Sequence, residues 1–393
     1  MDQSIVLAGA CRTATGKFGG ALAGVPAAEL GGIVIKAALA RSAVPGGAVD
    51  QVLFGQVLQA GSGQNVARQA AVAAGLPVEV PASTLNNVCG SGLQAVNLAA
   101  ALIRARQAEV VVVGGVENMS MAPYLLRQAR FGYRLGAGEL VDSMQSDGLT
   151  DAFSGQAMGV TAETVAARLG ITRADQDAYA LASQEKALAA IADGVFAPEI
   201  VPVPVTVRRD GTVFEVDEPP RATSLEALAR LKPVFQEGGS VTAGNSSVIA
   251  DGAAALVVMS SAKAAELGVA AQGRWLAGAS AGIDPAIMGL GPVRAVKAAL
   301  RNAGSGLKDV GLVELNEAFA AQALGVIREL GLDLDRVNVT GGGIALGHPL
   351  GASGARIVVT LLHAMERRDI RLGLATLCVG GGMGVAALVG ASS

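Results

Sequence analysis

Four segments in the first third of the chain have counterparts, in the same order, towards its carboxyl end. The two members of each pair lie about 260 to 270 positions apart and share a pattern of apolar and small residues. The pairs are VLAGAC (6–11) with WLAGAS (275–280), VDQVLFGQV (49–57) with VGLVELNEA (310–318), CGSGLQAVNLAAALI (89–103) with GASGARIVVTLLHAM (351–365), and VVVGGVENM (111–119) with LCVGGGMGV (377–385). One such pair could arise by chance in a chain with 53 glycines, but four in register indicate an internal duplication.

Each copy alternates short β-branched runs with longer stretches of helical periodicity. We predict strands that include 5–8, 52–54, 110–113, 312–315, 336–339 and 374–379. Predicted helices include 27–41, 292–303 and 354–366. This alternation is typical of an α/β protein in which helices cover mixed sheets.

The region between the two copies differs in composition. Charges, prolines and methionines become more frequent, as in VDEPPRATS (216–224), and the stretch 161–191 has helical periodicity without a counterpart in the second copy. We therefore assign residues 1–118 with 250–270 to a first half, 119–249 to an inserted domain that covers a ligand, and 271–393 to a second half.

Charge and the amino-terminal segment narrow the range of partners. The formal net charge is −3 and the chain has no basic run, so we expect no nucleic-acid partner. The segment MDQSIVLAGACRTATGKF (1–18) has no basic flank, and its apolar stretch is too short for a secretory signal or a membrane span. We expect a cytoplasmic protein with no membrane partner.

The cysteines indicate thiol chemistry rather than a scaffold. Cys11, Cys89 and Cys378 are odd in number and widely spread, which argues against a disulfide framework. With only two histidines in the chain, a His/Cys metal site is not expected either. A cysteine that matters here would act as a thiol.

Cys89 and His348 lie in the loops that precede two helices paired by the duplication. Cys89, in NNVCGSG (86–92), precedes a predicted helix. The first amides of a helix lower the pKa of a nearby thiol and favour a nucleophilic thiolate. The alternative is that the Cys89 side chain simply packs in the core. His348, in GGGIALGHPLGASGAR (341–356), lies in the glycine-rich loop that opens the counterpart helix. It is either structural or brought to Cys89 by pseudo-twofold packing of the halves.

Two further stretches combine polar or reactive groups with apolar strands. In LCVGGGMG (377–384), Cys378 ends a strand, and three glycines follow whose amides could form an oxyanion hole or a tight turn. In VELNEAFA (313–320), Asn316 and Glu317 interrupt an apolar run, either as a helix cap or as a site that holds water.

These four stretches resemble the catalytic motifs of the thiolases, the acyl-CoA C-acyltransferases. The resemblance extends over the whole chain and includes GGVENMSMAP (114–123) and VTAGNSSVIADGAAA (241–255). It implies a thiolase-like duplicated α/β fold: two pseudo-twofold related βαβαβαββ halves in five layers, α-β-α-β-α, with an inserted loop domain.

The resemblance also implies a role for each residue that matches a motif. Cys89 would be the acylated nucleophile, His348 the group that takes its proton, and Cys378 the acid and base at the alpha carbon of a second acyl-CoA. Asn316 would hold a water that forms one oxyanion hole with His348, and the amides of Cys89 and Gly380 would form the other. The reaction is then a reversible, ping-pong Claisen condensation or thiolysis. Coenzyme A is a substrate, and no metal or prosthetic group is required.

The coenzyme A site carried over from the family lies against the inserted region. Ser247 matches the serine that meets the pantetheine arm, and Arg221 resembles a basic residue near the nucleotide end. The residues that match the tunnel lining are Phe235, Met288, Ala318 and Phe319. In the acyl pocket, Ala157 stands before Met158 where similar short-chain thiolases have histidine. Because the smaller side chain widens the pocket, we expect acetoacetyl-CoA and also longer 3-ketoacyl-CoA to be accepted.

Two alternatives and an oligomeric state complete the expectations. A β-ketoacyl-synthase-like condensing enzyme shares the cysteine and the doubled architecture, and a non-catalytic acyl-CoA or lipid carrier could retain the fold. The second functional cysteine and NEAF (316–319) favour thiolase. A sheet edge in each half and the methionine-rich ENMSMAP (117–123) offer surfaces to bury, and we expect a homotetramer, a dimer of dimers, as in similar thiolases.

Overall fold

A computed structural model describes residues 4–207 and 210–392, so the predicted domain ends at 1 and 393 lie outside the described residues. The strands are β1 Ile5–Thr13, β2 Gly16–Lys17, β3 Gln51–Gly55, β4 Ala82–Leu85, β5 Val110–Asn118, β6 Tyr124–Leu125, β7 Val141–Asp142, β8 Ile200–Val201, β9 Val203–Val207, β10 Asp210–Phe214, β11 Ala250–Ser260, β12 Gly273–Gly282, β13 Leu312–Leu315, β14 Leu372–Val379 and β15 Met383–Ala391. The helices are α1 Ala27–Ser42, α2 Val66–Ala73, α3 Ser91–Arg104, α4 Met158–Leu169, α5 Arg173–Ala192, α6 Leu225–Ala229, α7 Ser261–Leu267, α8 Gly291–Ala303, α9 Ala320–Leu330, α10 Gly343–Leu346 and α11 Leu350–Arg368.

The sheet topology shows the duplication directly. The main sheet runs in the order β13-β14-β15-β12-β1-β11-β5-β3-β4. It is joined at its centre by antiparallel pairing of β1 with β12, where Ile5 lies opposite Trp275. Outward from this pair, β1-β11-β5-β3 in one half corresponds to β12-β15-β14-β13 in the other. The first half follows the predicted βαβαβαββ order, and the duplicated α/β fold is confirmed.

Helices lie in three layers around the two halves of the sheet. Helices α1 and α2 pack on the outer face of the first half and α8 on the outer face of the second, while α3 and α11 are packed between the halves. Separate apolar clusters fill the central and the two outer spaces. The result is the predicted five-layer α-β-α-β-α arrangement.

Glycines allow the two central helices to touch through their backbones. A side chain at Gly92 of α3 would place its Cβ 2.6 Å from the amide nitrogen of Ala355, and one at Gly354 of α11 would overlap the amide of Leu93. Because Cβ atoms cannot approach backbone so closely, only glycine fits at both positions. The amino termini of one helix from each half are thereby brought together.

The predicted strand at 336–339 is wrong. A 3₁₀ turn covers Leu334–Arg336, and only Val337 bridges to Val313 of β13. Asn338 replaces the expected strand partner with its side chain, which accepts from the Leu315 amide and donates to the Leu315 carbonyl, both at 2.8 Å. A side-chain amide can substitute for a strand at such a position, so the β-branched residues around it do not extend the sheet.

The inserted region is built of short elements and three helices. The helical stretch at 161–191 forms two helices, because Gly170 ends α4 with a φ of 61° and Thr172 with Asp175 caps the start of α5. Strand β11 starts at Ala250 and pairs with β1 and β5 of the first half. No helix in the described part of the chain is long and apolar enough to cross a membrane.

Candidate active site

The loop before α3 is strained at Val88, the residue that precedes Cys89. Val88 has a φ of 45°, which is unusual for a β-branched residue. Two side chains hold this turn. The buried Ser91 Oγ accepts from the Asn87 amide at 2.8 Å and donates to the Val88 carbonyl at 2.6 Å, and the exposed Asn86 Oδ1 accepts from the Val88 amide at 3.0 Å. The strain is therefore retained by hydrogen bonds rather than relaxed, as is common at functional sites.

The thiol of Cys89 is protonated in this environment. Burial raises its pKa to about 11, and the amides of Gly380 and of Cys89 itself lower it by less than burial raises it. The nearby Glu117 carboxylate raises the pKa further. The prediction that this position lowers the thiol pKa is thus wrong, because the loss of hydration outweighs the few amide dipoles that face the sulfur. The sulfur needs a base to become a nucleophile.

His348 has the protonation state of such a base. Its Nδ1 lies 2.6 Å from Ser353 Oγ, and the Ser353 hydroxyl donates to the Pro349 carbonyl at 2.8 Å. Nδ1 therefore carries the hydrogen, and Nε2 keeps a lone pair, towards which the Asn316 amide nitrogen points at 3.4 Å. Burial lowers the pKa of His348 to about 3, and the Arg356 charge contributes in the same direction. The imidazole is neutral at physiological pH.

Asn316 is fully buried beside the imidazole. Its Oδ1 has no hydrogen-bond partner among the described residues, and a buried carbonyl oxygen of this kind needs one. Helix α9 begins later, after Phe319, and without a side-chain cap, so Asn316 does not cap it. Of the two alternatives for this residue, the geometry favours a site that holds water.

Glu317 ties the same loop to the inserted region. Its carboxylate accepts from Tyr179 at 3.0 Å and Ser183 at 2.7 Å, both on α5, and from Asn338 at 2.8 Å and the Ile344 amide at 3.2 Å. A carboxylate with four donors is well compensated for its burial. The loop that carries Asn316 is consequently fixed to α5.

Cys378 and the glycines after it lie next to the Cys89 sulfur. Cys378 is fully buried at the end of β14, and burial raises its pKa well above the ordinary range, with a further rise from Cys89. Gly381 and Gly382 both have φ of 83°, so the chain turns sharply and leaves the Gly380 amide facing Cys89. Two thiols and a backbone donor therefore lie close together.

A cavity of about 480 Å³ leads to His348. Among the sequence-predicted residues, it is lined by Ala157, Met158, Arg221, Phe235, Ser247 and Phe319. Met288 and Ala318 are buried behind this lining, where Met288 joins an apolar cluster and the Ala318 carbonyl accepts from the Ser247 amide at 3.0 Å. The lining also includes residues that sequence reasoning missed, among them Phe18, Met119, Gln145, Leu149 and Leu350.

Packing of the inserted region shapes the cavity wall. Phe235 lies directly on Gly159, where any Cβ would overlap its ring, and it meets Phe319 edge to face with ring centroids 5.9 Å apart. Arg221 is exposed at the cavity, and its backbone amide donates to Gln184 at 3.0 Å. The wall is mostly apolar, with charge at its outer part.

Sequence reasoning also missed three buried groups that support the site. They are the hydroxyls of Ser91 and Ser353 and the carboxylate of Glu117, which accepts from the amides of Val57, Leu58 and Gly351. Burial raises the pKa of Glu117 to about 7. The sequence does contain a signal for the two serines, because both copies of the duplication share a Ser-Gly pair at this position. Glu117 had none, because its donors come from distant segments.

A duplicated α/β fold with a buried cysteine, a neutral imidazole and a second thiol at the junction of its halves defines a cysteine-dependent acyltransferase. The chain belongs to the thiolase family: residues 5–262 match the thiolase N-terminal domain and residues 269–391 the thiolase C-terminal domain. It is 59% identical over 386 residues to an acetyl-CoA acetyltransferase of Pseudomonas aeruginosa, with 98% of each chain covered.

Comparisons with other proteins give the same family. An acetyl-CoA acetyltransferase of Escherichia coli is 55% identical over 389 residues, which cover 98% of this chain and 99% of that one. The crystal structure of the Bacillus anthracis acetyl-CoA acetyltransferase has a TM-score of 0.97 at 46% identity, covering 99% of this chain and 98% of that one. Human mitochondrial 3-ketoacyl-CoA thiolase also has a TM-score of 0.97, at 42% identity and 99% coverage of both chains.

Proposed function

We propose that this protein is an acetyl-CoA C-acetyltransferase that catalyses reversible Claisen condensation and thiolysis through an acyl-Cys89 intermediate. The observation that carries the proposal is a protonated Cys89 thiol and a neutral His348 on the loops that open two helices in backbone contact, with a second buried thiol near Cys89. The names of the relatives at 55% and 59% identity support acetyl-CoA as a substrate.

In the first half-reaction, the Cys89 sulfur bonds to the thioester carbonyl carbon while its proton passes to His348 Nε2. The carbonyl oxygen becomes an oxyanion, for which the amides of Cys89 and Gly380 are suitable donors. The C–S bond to coenzyme A then breaks, and the departing sulfur takes the proton back from His348. A neutral starting pair suits this exchange, because neither charge exists before substrate arrives.

In the second half-reaction, Cys378 removes a proton from the alpha carbon of a second acyl-CoA. The Cys378 thiol first passes its own proton to His348 Nε2. The resulting thiolate is a strong base because its pKa is strongly raised, and it takes the proton of the weakly acidic carbon. The imidazole of His348 and a water on Asn316 would bind the enolate oxygen as charge develops there. The carbanion then attacks acyl-Cys89, the new C–C bond forms, and the Cys89 sulfur leaves and takes the proton held by His348, which restores the resting enzyme.

Coenzyme A would occupy the cavity beside His348. Ser247 and Phe235 would contact the pantetheine arm, Phe319 and Met158 the part nearest the reacting thioester, and Arg221 the nucleotide phosphates. Met288 and Ala318 would act indirectly by supporting this wall. The mostly apolar lining, the predicted residues within it and the exposed guanidinium at its edge support this orientation.

Ala157 would extend the range of acyl chains beyond four carbons. It lines the cavity immediately before α4 and contributes only a methyl group. We expect Ala157→His to lower kcat/KM for six-carbon substrate relative to acetoacetyl-CoA by about 10- to 200-fold, the range for one methylene of steric discrimination. Equal or better turnover of acetoacetyl-CoA than of any longer substrate by the unmodified enzyme would contradict this part of the proposal.

Thiolysis of a substrate ladder tests the main proposal. Purified protein is incubated with free coenzyme A and 3-ketoacyl-CoA of four to ten carbons, with Cys89→Ala as control. Loss of ketoacyl thioester that disappears in the control is expected. Decarboxylation of malonyl-CoA without thiolysis would indicate a synthase-like enzyme instead, and saturable ligand binding without acylation of Cys89 would indicate a carrier.

We also propose a homotetramer in the cytoplasm, with the domain boundaries assigned from the sequence. The segment 124–140 projects large apolar side chains, with Leu135 98% and Phe131 87% exposed, and a second copy of this chain would cover them. The three free cysteines suit a reducing compartment. Light scattering coupled to size exclusion measures the mass. A tetramer that Leu135→Asp weakens is expected, and a monodisperse monomer would contradict the proposal.

A further inference from the structure

Ser353 contacts the one ring nitrogen of His348 that faces away from the reactants. We propose that Ser353 is a positioning residue of the reaction, which holds His348 in the tautomer whose Nε2 lone pair can take the Cys89 proton. This inference rests on the proposed role of His348 as the base, and it gives the buried Ser353 hydroxyl a specific part in the reaction.

The hydrogen-bond geometry fixes the direction of this interaction. Ser353 is fully buried in the first turn of α11 and lies five residues after the histidine. Its hydrogen is used in the 2.8 Å bond to the Pro349 carbonyl, so its oxygen can only accept from Nδ1, at 2.6 Å. The backbone amide of His348 donates to the Val248 carbonyl at 2.9 Å, which fixes the loop itself. Ring orientation and tautomer are both specified.

Removing the Ser353 oxygen would change the tautomer rather than only a contact. A buried Nδ1–H without an acceptor is costly, and the imidazole avoids that cost by carrying its hydrogen on Nε2 instead. Nε2 would then have no lone pair for the thiol proton. In a serine-protease triad, a change that imposes the wrong tautomer lowers kcat by about 10⁴-fold, which sets an upper bound for such an effect.

The duplication contains a second example of this arrangement. Ser91 stands in the first copy where Ser353 stands in the second, and both are fully buried at the start of a central helix. Each donates its hydrogen to a carbonyl in the loop just before its helix and accepts from an N–H of that same loop. In the first copy that N–H belongs to the backbone at Asn87, whereas in the second it belongs to an imidazole.

Ser353→Ala is the test, and Ser42→Ala is its matched control. Ser42 is also a buried helical serine that donates to the carbonyl four residues earlier, at 2.8 Å, but it lies in α1, on the outer face of the sheet. The main readout is the rate at which iodoacetamide alkylates Cys89 near pH 7, measured by peptide mass, because this rate needs the base but no acyl-CoA. Thiolysis kcat is measured in parallel.

We expect Ser353→Ala to lower both rates by about 10- to 100-fold, corresponding to one lost buried hydrogen bond, while Ser42→Ala changes neither by more than about twofold. Ser353→Thr, which restores a hydroxyl, should recover most of the loss. In a His348→Ala background, Ser353→Ala should have no further effect on alkylation, because its influence passes through the imidazole.

The outcomes separate this inference from the proposed function. An equal loss with and without His348 would show that Ser353 is merely structural and would overturn the inference, as would unchanged alkylation in Ser353→Ala. Alkylation that depends on Ser353 through His348 in a protein without thiolysis would instead support the positioning role and contradict the proposed function.

Discussion

The neutral state of the proposed catalytic pair, Cys89 and His348, predicts an unusual pH dependence for the reactivity of Cys89. With a thiol pKa of about 11, about one Cys89 in 10⁴ is ionised at pH 7, and His348, with a pKa of about 3, carries no charge to stabilise a thiolate. Two routes to alkylation then exist in the free enzyme. One uses the thiolate and gains about tenfold per pH unit, and the other uses His348 as base and does not vary with pH.

The rate of Cys89 alkylation by iodoacetamide between pH 6 and 11 distinguishes these routes. We expect a level region near neutral pH, followed by a rise of about tenfold per unit that flattens near pH 11. In His348→Ala the level region should disappear and leave the rising line. Cys378, whose pKa burial raises still higher, serves as an internal reference that should react more slowly throughout.

A single titration step with its midpoint at or below about pH 7 would refute this reasoning. It would mean that the resting enzyme already contains a thiolate and an imidazolium, as in enzymes that stabilise the ion pair. The amides facing the sulfur would then outweigh the loss of hydration, and the base-assisted first step proposed above would be unnecessary.

Three further predictions concern the supports of the site, and a fourth concerns acid stability. Ser91→Ala should lower thiolysis kcat by about 10- to 100-fold and the free energy of unfolding by about 2 kcal/mol, measured by urea denaturation, because two buried backbone groups lose their partner. Gly354→Ala should cost about 3 kcal/mol and most of the activity, since its Cβ meets backbone of α3, whereas Gly47→Ala, with open space around it, should leave both within experimental error. Glu317→Gln should lower stability by about 3 kcal/mol and weaken protection of α5 in hydrogen exchange, because an amide cannot accept from four donors. The folded state buries His348 in its neutral form, so protonation favours the unfolded state, and the free energy of unfolding falls as pH drops from about 6.5 towards 3. His348→Gln should flatten the pH dependence of the urea midpoint in that range.

The fold was largely predictable because its signals are periodic and duplicated. The strand at Leu312–Leu315 was predicted in full, and helices α1 and α8 were predicted to within one residue at each end. The error at 336–339 came from Asn338, whose side chain takes the place of a strand partner. No local pattern indicates that an asparagine will do this, because its two partners lie on another segment.

The site was less predictable, because its chemistry depends on burial and on hydrogen-bond direction. Motifs identified Cys89 and His348 as candidates, but position in sequence predicted the wrong direction for the thiol pKa. The loss of hydration at a side chain depends on how many layers of the fold cover it, and the neighbouring residues in the sequence do not indicate this. The acceptor for His348 Nδ1 lies only five residues away, yet its role becomes clear only when the Pro349 carbonyl is seen to take the hydroxyl hydrogen.

The backbone contact between α3 and α11 has a consequence for the order in which the protein becomes active. Cys89 lies just before α3, which a ribosome would make long before α11, whereas His348 and Cys378 belong to the last segments made. A nascent chain therefore carries Cys89 long before it carries His348. If His348 is the base as proposed, no acyl transfer would begin until the carboxyl-terminal helix has docked through Gly354. Activity would therefore appear only when synthesis and folding are complete, and a truncated or half-folded chain would be inactive rather than partially active.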